Sequence, residues 1–144
     1  MVKSFLPILL KRPEAHILNV SSMGGFLPVP GQSIYGASKA AVKLMTEGLI
    51  SELQDTTVGV TVAFPGGVET EITKNSGADL KIDEDSASTY KLLQPREAAQ
   101  MMVDAMEDNK ARLYAGKDSK MMNRLYRLMP KKASNMIAKK LKTK

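Results

Sequence analysis

His16-Ile-Leu-Asn-Val-Ser-Ser22 is followed, thirteen residues after Ser22, by Tyr35-Gly-Ala-Ser-Lys39, and further on by Val58-Gly-Val-Thr-Val-Ala-Phe-Pro-Gly-Gly67. The outer two stretches are short apolar runs, closed by Ser-Ser and by Pro-Gly-Gly, and read as buried strands. Between them, Met23 to Ser33 holds Gly24, Gly25, Pro28, Pro30 and Gly31, which makes it a loop. Ser33 stands where a helix cap is expected. From Ile34 to Leu53 the spacing is helical, with Ala37, Ala40, Ala41, Leu44, Met45, Gly48, Leu49 and Leu53 marking a broad apolar face.

Upstream, Ser4 to Lys11 reads as the last turns of a helix stopped by Pro13. Downstream, Glu71 to Leu93 is polar, with Gly77 and Asp83-Glu84-Asp85, and reads as a long loop or short mobile helices. Pro95 opens a helix that runs to about Glu107. Arg112 to Ala115 reads as a third strand, and Ser119 to Lys142 as helix broken at Pro130. Strand, helix, strand, helix, strand is the order of parallel βαβ units. The expected class is therefore α/β, with half of a doubly wound, Rossmann-like parallel sheet. Residues 1–116 are expected to form one body and 117–144 a basic amphipathic tail.

The chemistry sits on the helix. Tyr35 and Lys39 are four residues apart and share one helical face. A Lys ammonium beside a phenol favours the phenolate and draws the Tyr pKa down from about 10. Such a Tyr can give a proton to a developing alkoxide or take one from an alcohol. Ser22, at the carboxyl end of the preceding strand, is placed for its hydroxyl to reach the phenol and to hydrogen-bond a substrate oxygen. A Tyr-x-x-x-Lys pair by itself is a common surface contact. Its place at a helix start, between a strand ending in Ser-Ser and one ending in Pro-Gly, gives it meaning. His16, at a strand start, is read as structural.

Ile17 to Gly25 followed by Tyr35-Gly-Ala-Ser-Lys39-Ala-Ala resembles the active-site block of the short-chain dehydrogenase/reductase family. The resemblance implies a hydride-transferring oxidoreductase that interconverts an alcohol and a carbonyl with NAD or NADP. Ser22, Tyr35 and Lys39 would be three of four catalytic residues. Tyr35 would be the general acid/base, Lys39 would bind the nicotinamide ribose, and Ser22 would orient the carbonyl. Phe64-Pro-Gly-Gly-Val-Glu-Thr70 is similar to the family's Pro-Gly-x-Val-x-Thr block. It implies that Pro65, Gly66 and Val68 lie along the nicotinamide and that Thr70 contacts it. By position, Glu71 to Leu93 corresponds to the family's substrate-covering loop. The helix from Ile34 is one that family members pack against its copy, which implies a homo-oligomer.

The resemblance covers roughly Phe5 to Ala115, the later half of the family domain. The Gly-rich dinucleotide fingerprint, the residue that selects NAD or NADP, the Asn-Ala-Gly strand block and the catalytic Asn have no counterpart in the 144 residues; Asn19 is not that Asn, since it lies inside the strand. The expectation is a truncated product in which Met1 is an internal methionine, binding NAD(P)H poorly by itself, with the first strand short of a neighbour. The competing reading is an inactive fragment, or a membrane- or partner-binding module that acts through the tail.

Composition narrows the rest. With no Cys and one His there is no disulfide framework and no His/Cys metal site. No Trp and seven Tyr and Phe argue against a base-stacking surface, so no nucleic-acid partner is expected. No apolar run approaches the ~18 residues of a membrane span, and the apolar start, interrupted by Pro7, does not read as a signal peptide. A cytoplasmic enzyme fits this balance. The net charge of +6 is uneven: residues 1–116 carry 11 basic and 14 acidic groups, residues 117–144 carry 10 basic and 1 acidic. Met121, Met122, Leu125, Tyr126, Leu128, Met129, Met136, Ile137 and Leu141 stand among those cations. The pattern suits a peripheral anchor on anionic lipid, a docking helix for a partner, or a helix packed on its own domain with a solvated basic edge.

Overall fold

The structure, a computed structural model, describes residues 1–69 and 92–142. In chain order these form α1 (Val2–Leu9), β1 (Ala15–Val20), a 3-10 turn (Met23–Gly25), α2 (Ser33–Glu52), β2 (Val58–Pro65), α3 (Pro95–Glu107), β3 (Arg112–Ala115), α4 (Lys117–Leu128) and α5 (Pro130–Lys142). The strands make one parallel sheet in the order β1-β2-β3. Val20 pairs with Ala63, and Pro65 with Ala115, so all three strands end at one edge. The fold is α/β, with a partial doubly wound sheet.

The central strand sorts its side chains by parity. Val58 and Val60 meet Ile17, Leu49 and Leu53 on the face that α1 and α2 cover. Ala63 meets Leu113, Ala115 and Ala105 on the face that α3 covers. Helices on both faces explain why β2 is nearly continuous in apolar residues rather than alternating.

The observed strands and helices differ from the expected ones in three places. β1 is less buried than an apolar run suggests: Ile17 alone among its residues is buried, because β1 has β2 on one side only among the described residues. Ser33 does not cap α2. It is already the first helical residue, Gln32 holds the boundary, and no side-chain bond caps the helix. The apolar face of α2 is only partly covered. Leu49 and Leu53 enter the core, whereas Ile34 and Leu44 are 86% and 70% exposed, because the sheet covers only the later turns of this 20-residue helix. The 117–142 segment packs on the body, as in the reading of a helix packed on its own domain: Met122 and Ala133 bury against Leu27, flanked by Met23, Phe26, Leu125, Tyr126, Met136 and Ile137. Five of the nine apolar residues that stand among the cations therefore face the protein. The loop read from Glu71 lies outside the described residues as far as residue 91.

Candidate active site

The site is built where β1 runs into α2. Beyond Val20, the Ser21 amide donates to Ala63 O at 2.8 Å, and the buried Ser21 hydroxyl donates to Lys39 O of α2 at 2.8 Å. That bond joins strand end to helix. Gly25 lies against the same spot: a Cβ there would stand 2.5 Å from Ser21 Oγ and 2.9 Å from Lys39 O, so only glycine fits. Phe26 then points its ring edge at Phe64 (5.5 Å) and Tyr114 (5.9 Å), which stack on each other at 5.1 Å. The 3-10 turn is thus pinned at both ends.

Ser22 caps that turn. Its Oγ accepts from the Gly24 amide at 3.2 Å, which uses one lone pair and leaves the O–H proton to be donated. Gly24 lies against both Ser22 and Tyr35. A Cβ on it would stand 3.2 Å from Tyr35 Cε1 and 3.7 Å from Ser22 Oγ. Tyr35 and Lys39 occupy the first two turns of α2, and the Lys39 ammonium lies 5.9 Å from the Tyr35 ring centroid. The ammonium also donates to Val20 O at 3.3 Å, which ties it to the end of β1. The Tyr35 ring is about half exposed. The three residues singled out in the sequence are therefore brought together at the carboxyl ends of the strands, where open parallel sheets take ligands. An apolar cavity of about 350 Å³, lined by Gly24, Phe26, Leu27, Ala37, Ala40 and Tyr126, shares Gly24 with this cluster.

The second stretch arrives at the same edge. Pro65 ends β2, and the Gly66 amide donates to Ala115 O at 2.9 Å. Val68 bridges Leu93, with Leu93 N donating to Gly67 O at 2.8 Å and Glu69 N to Leu93 O at 3.0 Å. Thr70 lies outside the described residues.

Two contributors escaped the sequence reading. In the sequence Ser21 reads only as part of the Ser-Ser pair that closes the strand. Asp118, in the first turn of α4, accepts the Gly67 amide on Oδ2 at 2.7 Å. The signal for Asp118 was Gly116-Lys-Asp-Ser119 at a strand-to-helix junction, the place of a capped turn. His16 is at the far end of β1. Thr61 Oγ1 donates to Lys110 O at 2.7 Å, so it accepts from His16 Nε2 at 2.8 Å. Burial lowers the His16 pKa. Asn19 binds Thr46 Oγ1 at 3.0 Å, inside the fold. Among the described residues no group of three or more His, Cys, Asp and Glu could hold a metal ion, and no helix is long and apolar enough to cross a membrane.

Known proteins resemble this chain in sequence and in fold. Residues 1–81 match the short chain dehydrogenase family. The protein named as oxidoreductase SadH in Mycobacterium tuberculosis is 32% identical over 143 residues, covering 94% of this chain and 52% of that protein. An uncharacterized oxidoreductase of Staphylococcus epidermidis is 38% identical over 100 residues, 66% of this chain and 44% of that one. Among solved structures, a short chain dehydrogenase from Burkholderia cenocepacia in complex with NADP superposes with a TM-score of 0.78 at 25% identity, over 95% of this chain and 52% of its own. A short chain dehydrogenase/reductase from Burkholderia phymatum in complex with NAD gives 0.65 at 27% identity, over 78% and 47%. The chain spans about half the length of the relatives it matches. With the family matched over more than half of its residues and the parallel sheet shared, the chain belongs to the short-chain dehydrogenase family of oxidoreductases.

Proposed function

We propose that this chain is the catalytic half of an oxidoreductase that interconverts an alcohol and a carbonyl with NAD or NADP. The observation that carries the reading is that Ser22 Oγ and the Tyr35 ring both lie against Gly24, with the Lys39 ammonium 5.9 Å from that ring and bonded to Val20 O at the carboxyl end of β1. The residues fit a nicotinamide dinucleotide. A phenol and an ammonium suit ribose hydroxyls, and the Pro65–Val68 turn lies at the same sheet edge. The cofactor, when bound, supplies or accepts the hydride. Tyr35 moves the proton, giving it to the developing alkoxide or taking it from the alcohol. Ser22 donates its O–H to the substrate oxygen and stabilises charge as it forms there. Lys39, beside the Tyr35 ring, would hold the ribose. Pro65, Gly66 and Val68 would hold the nicotinamide, and the hydroxyl of Thr70 is the further group proposed for it.

The test joins this chain behind the amino-terminal half of the Burkholderia cenocepacia relative and assays a panel of ketones and alcohols with both cofactors. Tyr35→Phe is expected to lower kcat by about 10²–10⁴-fold; unchanged turnover would refute the assignment of Tyr35. The 144 residues alone are expected to bind NADH and NADPH weakly, and micromolar binding would show that this half suffices.

Two surfaces carry partner readings. Ile34, Ala37, Ala41, Leu44 and Met45 form one exposed stripe along α2, which supports pairing with a second copy. On α4, Lys117, Lys120, Arg124 and Arg127, spaced three and four apart, share an exposed face with Met121 and Leu128. The one acidic residue of the segment, Asp118, faces Gly67 instead. Cations with protruding apolar side chains suit an anionic bilayer surface more than an acidic protein. Co-sedimentation with phosphatidylglycerol vesicles, lost at high salt and in Arg124→Glu/Arg127→Glu, is the expected outcome; no pelleting with those vesicles would remove this reading.

A further inference from the structure

The feature that the proposed chemistry does not use is the carboxylate of Asp118. Three backbone segments close around it: Gly66–Gly67 after β2, Gly116 after β3, and the first turn of α4. The Gly67 amide donates to Oδ2 at 2.7 Å. Two of the glycines beside it leave no room for a side chain. A Cβ on Gly66 would collide with the carboxylate, and one on Gly116 would stand 2.5 Å from Oδ1. Gly116 also holds φ at +100°, a conformation side chains rarely tolerate. The next residue, Ser119, is fully buried and donates its hydroxyl to Phe64 O at 2.7 Å. Two adjacent residues of α4 therefore fix the two ends of the strand-ending Phe64–Gly67 stretch. The carboxylate sits in the first turn of α4, where the helix dipole favours negative charge.

We propose that Asp118 is a positioning residue that holds the Gly66–Val68 turn in the shape in which it lies along the nicotinamide. The holding role stands on the geometry of this chain; the link to the cofactor rests on the function proposed above. A charge-assisted bond to a backbone amide is a strong constraint, and it adds to the backbone bonds that tie Gly66 to Ala115 and Gly67 and Glu69 to Leu93. In this arrangement a segment remote in sequence, and reading as a surface helix, sets the backbone of the cofactor-facing turn.

The test uses the 144-residue chain and amide hydrogen exchange followed by NMR. Asp118→Ala is expected to lower protection of the Gly67 amide about tenfold or more, with β1 and α3 amides unchanged. Asp118→Asn, which keeps a carbonyl acceptor, is expected to restore most of that protection. Unchanged Gly67 protection in Asp118→Ala would overturn the proposal. So would an equal loss across all amides, which is what a merely stabilising residue gives. A double-mutant cycle adds an independent reading: Gly66→Ala should unfold at lower urea than the parent, and Asp118→Ala should relieve that loss by removing the collision. Additive effects would overturn the clamp. Millimolar NADH and NADPH are then titrated in the same spectra. Shifts at Gly66 to Val68 in the parent that weaken in Asp118→Ala tie the clamp to the cofactor. The absence of any nucleotide shift in the parent would count against the proposed function, with the exchange data still deciding the clamp.

Discussion

At the residue scale, the site depends on close approaches that admit no side chain. Gly25→Ala would drive a methyl into Ser21 Oγ and the Lys39 carbonyl, and the second of these is helix backbone. The expected cost is about 1–3 kcal/mol, read as a lower urea midpoint, with slower turnover in the joined enzyme because Ser22 is displaced. A midpoint equal to the parent's would mean that the loop shifts freely. His16 gives a pH signature. Its pKa is lowered from 6.5 by burial, so the unfolded chain takes up a proton more readily than the folded one. Stability is therefore expected to be full above pH 6.5 and to fall as the pH drops from there toward the lowered folded value. His16→Asn should flatten that part of the urea-midpoint profile. The closeness of Ser22, Tyr35 and Lys39 was legible in the sequence because Tyr35 and Lys39 are one helical turn apart and Ser22 closes the strand before them. Ser21 and Asp118 were not, because the partners that give them meaning lie 18 and 51 residues away along the chain.

At the element scale, contacts between strands and helices set the angle at which α2 presents Tyr35. Asn19 of β1 donates to Thr46 of α2, and Thr46 is fully buried. Thr46→Val removes the acceptor and leaves the Asn19 amide unpaired, an expected loss of about 1–3 kcal/mol by chemical denaturation; a neutral result would place water in that role. Glu47 joins α2 to β3, accepting from Lys43 at 3.0 Å and Arg112 at 2.9 Å. Burial raises its pKa, and the hydrogen bonds from Lys43 and Arg112 outweigh that and lower it from 4.5. Its contribution is thus present above pH 4.5 and lost as the pH falls through the lower folded value. Glu47→Gln should cost about 0.2–1 kcal/mol at pH 7, since Arg112 is half exposed, and nothing in strong acid. The bounds of β2, α3 and β3 followed from sequence because continuous apolar runs and a Pro at a helix start act locally. The burial of β1 did not, because it depends on how many neighbours a strand has. The boundary at Ser33 failed for a smaller reason: the helix begins one residue early, and a hydroxyl inside the first turn is not a cap.

At the scale of the whole molecule, the α2 stripe predicts association. Sedimentation velocity should show a dimer that Leu44→Glu dissociates while the circular dichroism is unchanged; a monomeric parent would dismiss the α2 pairing. The cationic end, which its charge alone sets apart from the rest, is joined to the body by Ser119 on Phe64, Asp118 on Gly67 and Met122 beneath Leu27. Anyone shortening the protein to improve its handling would be drawn to cut after Ala115, where acidic residues give way to basic ones. That cut would strip the floor from beneath the glycine bend and open Phe64 to water, so a trimmed product could fail in assays for want of residues that never meet a substrate.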